Sequence, residues 1–126
     1  MTDTSFVRAE ALLTKSARRW MPTVKQIPGP LGWSGPDVAG FREYLSDSES
    51  TVVRVYRFSS ERSAASGQQE MLRALQTTPI DGSRIKVIRN GEFVFWVEGS
   101  VVPPNHPRAA EAYGTFDAVI TAVTPT

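Results

Sequence analysis

The 126 residues contain no cysteine. That absence excludes disulfides, thiolate nucleophiles, zinc–cysteine sites and iron–sulfur clusters together. Histidine is reduced to one residue, His106, so no histidine cluster can ligate a metal. Neither sign of charge prevails, because 14 Lys and Arg stand against 13 Asp and Glu, and nothing in that balance favours a polyanionic partner. No apolar run is as long as the roughly 7–15 residues of a secretory signal or the roughly 18 of a membrane-spanning helix. Membrane insertion is therefore not expected and the location reads as cytoplasmic, although a chain already relieved of its signal would read the same way.

The motifs of common chemistry are missing as well. Neither G-x-G-x-x-G nor G-x-x-x-x-G-K-[ST] occurs, so dinucleotide and P-loop chemistry have no support and no cofactor is expected. "GWSGP", residues 32–36, departs from a nucleophile elbow because Pro36 stands where its last glycine belongs. The carboxylates do not converge: Glu111 and Asp117 lie six apart on one expected helix, which separates them, and no stretch has the spacing of a calcium loop. His106 precedes Pro107 ahead of the last helix and reads as a surface or capping residue. The reading leans away from an enzyme, with no catalytic residue and no metal site assigned.

What is present divides at about residue 50. A helix is expected over residues 4–21, with Phe6, Ala9, Leu13, Ala17 and Trp20 at helical spacing and Arg8, Lys15, Arg18 and Arg19 on its solvated faces, until Pro22 stops it. Residues 22–40 hold four Pro and four Gly among 19, too many for a long regular element. Val24, Ile27, Leu31 and Trp33 suggest a strap packed onto the domain, and "PDVAGFREYL" reads as a short helix. "TVVRVYRF", residues 51–58, is β-branched and aromatic enough for a strand. A helix capped by Ser59 or Ser60 follows to about residue 76, burying Ala64, Met71, Leu72 and Leu75. After a hairpin, Asn105 caps a last helix carrying Ala109, Ala112, Tyr113, Phe116, Val119, Ile120 and Val123 on one stripe.

The order from residue 51 is β-α-β-β-α. One α+β domain over residues 1–126 is expected, with residues 1–50 as helix, strap and short helix, and residues 51–126 as a ferredoxin-like split β-α-β-β-α core. That core would have a three- or four-stranded antiparallel sheet with its helices on one face. The last strand of such a fold is missing, and residues 23–27 are candidates for an edge strand in its place.

The hairpin "SRIKVIRNGEFVFWVEG" is apolar on both sides. A type I′ turn at Asn90-Gly91 would set Ile88 opposite Phe93 and Ile85 opposite Trp96. Ile85, Val87, Val94 and Trp96 then share one face, joined by Val53 and Val55. The other face mixes bases and aromatics: Arg84, Lys86, Ile88, Phe93, Phe95 and Val97, joined by Arg54, Tyr56 and Phe58. Soluble monomers seldom expose such a patch, and three coverings are open: the N-terminal helix and strap, a protein partner, or nucleic acid.

The order of elements over residues 51–123 resembles the RNA recognition motif, a family that stacks bases on aromatics of its first and third strands. The resemblance implies Tyr56, Phe93 and Phe95 as stacking positions flanked by Arg54, Arg84 and Lys86. The chain departs from the family's third-strand signature at Glu92, which separates Gly91 from the first aromatic.

The function expected is that of a non-catalytic interaction or assembly domain, self-associating or binding another protein through Arg54, Tyr56, Arg84, Lys86, Phe93 and Phe95. One alternative is a cofactor-free enzyme or small-molecule binder of the dimeric ferredoxin-like type, for which Trp33, Trp96 and His106 are secondary candidates. The other is single-stranded RNA binding, disfavoured by the even charge.

Overall fold

The computed structural model describes residues 5–23, 38–47, 49–77, 83–100 and 103–125. Its elements are α1 (Val7–Thr14), β1 (Trp20–Pro22), β2 (Val38–Ser46), β3 (Thr51–Phe58), α2 (Glu61–Thr77), β4 (Ser83–Asn90), β5 (Phe93–Ser100) and α3 (Ala109–Val123). The strands form one five-stranded sheet in the order β1-β2-β3-β5-β4, every neighbouring pair antiparallel. The fold is α+β.

The sheet has a core on each side. Val53 and Val55 of β3 and Phe93, Phe95 and Val97 of β5 face α1 and α3, which contribute Ala9, Leu13, Phe116, Val119 and Val123, with Phe6 just ahead of α1. Tyr56 and Phe58 of β3, Val94 and Trp96 of β5 and Val87 of β4 face α2, which contributes Ala64 and Met71. Successive residues of a strand point to opposite faces, so β3 and β5 feed both cores at once.

This layering corrects the ferredoxin-like expectation, in which the helices share one face. Here α2 and α3 lie on opposite faces, and β3 joins the hairpin in the other phase. Val53 pairs with Val97, and Val55 with Phe95. A one-residue difference in phase moves every side chain of a strand to the other face. The small valines of β3 therefore lie beside the large rings of β5, and Arg54 and Tyr56 lie opposite them.

The first 50 residues supply two of the five strands. "PDVAGFREYL" is not a helix. Most of it lies in β2, whose Arg42, Tyr44 and Leu45 pair with Val55, Val53 and Val52 of β3. α1 stops at Thr14, seven residues short of the expected end, and Trp20 opens β1, paired with Ser46. Edge strands tolerate proline because one side of their backbone faces solvent, and Pro22 sits in this outermost strand, opposite Tyr44. The expected edge strand at residues 23–27 lies outside the described residues except for Thr23, whose N–H donates to the Glu43 carbonyl (2.8 Å).

The hairpin turns one step later than expected. Asn90 pairs with Phe93 and Ile88 with Phe95, leaving Gly91 and Glu92 as the turn. Gly91 has φ +64° and Glu92 does not have positive φ, which is the pattern of a type II′ turn with glycine at its first central position. The shift is of two residues, so each hairpin side chain keeps its expected face. In α2, Ser60 Oγ accepts from the Ser63 N–H (3.0 Å) as its cap. Leu72 is exposed, not buried, and the inward stripe runs through Ala64, Gly67 and Met71. α3 starts after Arg108 instead of Asn105.

Candidate functional site

The six residues of the expected contact surface do not form one surface. Phe93 and Phe95 are 1% and 0% exposed beneath α1 and α3. Arg84, on their face, lies over the Tyr113 and Phe116 rings (4.5 and 4.4 Å to the centroids) and pairs with Asp117 at 3.3 Å. Lys86 is exposed on β4, the outermost strand at that end. Tyr56 and Arg54 belong to the opposite face. Tyr56 is fully buried, its ring 5.2 Å from that of Phe41. The basic-aromatic face is thus covered from within, by α3 and α1.

Arg54 is held between two carboxylates from the flanking strands, Glu43 Oε2 at 3.0 Å and Glu98 Oε1 at 3.3 Å. Thr23 Oγ1 donates to the other oxygen of Glu43 (2.8 Å), and Trp96 Nε1 donates to Glu98 (3.2 Å). Glu43 is 4% exposed, a burial a carboxylate tolerates only when paired and hydrogen-bonded. This network ties β2, β3 and β5 together and leaves Arg54 no spare charge to offer a ligand. Trp96 is itself buried. His106 is exposed, and its Nδ1 accepts from the Arg108 N–H (3.1 Å), a local turn contact. Trp33 lies outside the described residues.

The concave surface lies elsewhere. Where α1 ends, residues 15–19 turn back towards the sheet, with Ala17 at φ +59°. Side-chain and backbone bonds hold this turn. Ser16 Oγ donates to the Leu13 carbonyl (2.6 Å), Trp20 Nε1 donates to Ser16 Oγ (3.1 Å), and the Asp47 N–H donates to the Arg19 carbonyl (3.1 Å). Between this turn, α1 and the β1–β2 corner opens a cleft of about 530 Å³. Leu13, Trp20 and Tyr44 give it apolar walls, Met21 borders it, and Arg18, Arg19, Glu10 and Asp47 stand around them. Trp20 is half-buried and Met21 is 48% exposed. Glu10 is engaged by Arg42 at 3.3 Å. Among the described residues, neither Arg18 nor Arg19 has an ion-pair or side-chain hydrogen-bond partner.

A second groove, of about 640 Å³, runs between α1 and the C-terminal part of α3. Its walls carry Ala11, Leu12, Ala118 and Ala122 but no aromatic. Its Arg8 is occupied by the Asn90 side chain and carbonyl and approaches Glu92 at 3.9 Å. Of these two, among the described residues, the first cleft combines an accessible aromatic with unengaged cations.

The sequence pattern puts Arg18, Arg19, Trp20 and Met21 in or at the end of the first helix. The apolar spacing runs on through Ala17 and Trp20 without a breaker, so periodicity extends the helix. The one usable signal was Pro22, which suits an outermost strand as well as a helix end.

No group of three metal-ligating side chains occurs among the described residues, and none of their helices is long and apolar enough to cross a membrane. Comparison with models of known protein families, with curated proteins and with solved structures returned no match.

Proposed function

We propose that this protein is a non-catalytic binding domain whose ligand site is the cleft at the end of α1. The observation that carries the reading is Trp20, a large aromatic side chain left half-accessible on the same sheet face as Tyr44, in a concavity edged by Arg18 and Arg19. Apolar clefts with a few polar groups at the rim are the usual form of small-molecule sites, at volumes of roughly 300–1,000 Å³. Among the described residues that line the cleft there is no serine, histidine or lysine.

Binding through the sheet face, whether to protein or to RNA, would need Tyr56, Phe93 and Phe95 at the surface, and all three are core. The test is a fragment screen read by backbone amide shifts of the isotope-labelled protein. Hits are expected to move the amides of Leu13, Trp20, Met21 and Tyr44 together. Hits that consistently map to another surface, or a library of several hundred fragments with none in the cleft, would overturn the reading.

A further inference from the structure

The ligand class can be narrowed from the charges around the cleft, an inference that rests on reading the cleft as the ligand site. We infer that its ligand is a small organic monoanion with a flat, apolar body and one carboxylate. Among the described residues, four charged side chains line the cleft. Glu10 pairs with Arg42, and Arg18 and Arg19 stand against Asp47. The described cations there exceed the carboxylate they face by one, a balance matched to a monoanion and poorly matched to a polyphosphate.

The two guanidiniums are adjacent in the chain and belong to a turn fixed at both ends. The Trp20–Ser16–Leu13 bonds hold it to α1, and the Asp47–Arg19 bond holds it to the end of β2. A fixed turn loses little freedom when its arginines engage an anion, and guanidinium forks match the two oxygens of a carboxylate. The body of the ligand has Trp20 to stack on. Aromatic rings take offset or edge contacts with indole. The half-burial of Trp20 leaves part of its surface available for this.

The test compares 2-naphthoate with its neutral primary amide, titrated into the full-length protein and followed by amide shifts of the cleft residues. The acid is expected to bind on the order of tenfold more tightly than the amide, the ratio that one charge-assisted pair supplies. In the double variant Arg18→Gln, Arg19→Gln that preference should vanish. Both side chains are exposed and have no partner among the described residues, and an unchanged amide spectrum outside the cleft checks that the variant folds. Equal binding of acid and amide would overturn the anion class and leave the cleft reading standing. An acid preference that survives the double variant places the anion elsewhere and also overturns it. If neither probe moves cleft amides, the inference fails, and fragments failing there too would take the cleft reading with it.

Discussion

Ala17 is held at φ +59°, a region where an L-residue is disfavoured by about 1–2 kcal/mol because its Cβ crowds the following carbonyl. It bridges the last turn of α1 and the two arginines of the cleft, so the strain sits where the chain changes from helix to strand. Glycine would remove the crowding. Its greater freedom in the unfolded chain offsets roughly 0.4–1 kcal/mol of that relief. Ala17→Gly is therefore expected to stabilise the protein by about 0.5–1 kcal/mol, read as a rise in urea midpoint at unchanged slope. A fall in the midpoint would mean that the turn is not strained. Gly67 shows the opposite case, a glycine that cannot be improved. A Cβ there would lie 2.3 Å from the Phe58 ring, so the weak helix former in mid-α2 is what lets the helix lie down on β3.

At the scale of elements, the outer edge of β4 explains a contact that is otherwise odd. Because Asn90 and Phe93 close a two-residue turn, the ladder bonds to β5 fall on Asn90, Ile88 and Lys86. The N–H and C=O groups of Ile85, Val87 and Arg89 point outward, and an edge of this kind invites pairing with another chain. Gln68 of α2 reaches over to donate to the Val87 carbonyl (3.1 Å), occupying the middle of that edge. Lys86 adds an exposed charge to the same strand. Gln68→Ala should remove the block, with a small stability cost of about 1 kcal/mol, and raise the average mass in sedimentation as concentration increases. An unchanged concentration dependence would show that charge alone protects the edge.

The same elements show which parts of the fold can be read from sequence and why. β3, the hairpin, α2 and the inner stripe of α3 follow from period and turn chemistry, and the hairpin faces survive a register error because that error was even. β2 is hidden for a physical reason. It is covered on both sides, with Phe41 packing towards α2 and Tyr44 towards α1, so apolar residues at 41, 44 and 45 imitate helical spacing. Strands buried on both faces lose the alternation by which they are recognised. The phase of β3 against β5 is likewise a tertiary choice that grouping similar side chains mispredicts. The cleft depends on the break at residues 15–19, which no residue type in that segment announces.

For the molecule as a whole, the two cores make the N-terminal segment part of the fold and not an arm resting on it. Phe6 at the cap of α1, Ala9 and Leu13 within it and Tyr44 of β2 belong to the same buried cluster as Phe93 and Phe95, with the Phe6 and Phe93 rings 6.0 Å apart. On the other face Phe41 packs against Tyr56, and Glu43 supplies one of the two carboxylates that compensate Arg54. Removing residues 1–50 would uncover both faces of β3 at its β2 side. It would also leave Arg54 with Glu98 alone and turn "TVVRVYRF" into a bare edge of high β-propensity. Breaking a buried pair by losing one partner costs about 3–5 kcal/mol, and the lost apolar contacts add to that, against a total stability of roughly 5–15 kcal/mol for a typical domain. A chain of residues 51–126 is therefore expected to show no cooperative thermal transition and to aggregate. Sharp, dispersed amide spectra and a cooperative melt from that shorter chain would instead make β1, β2 and α1 an accessory layer, and the cleft they form with one another an addition to an independent core.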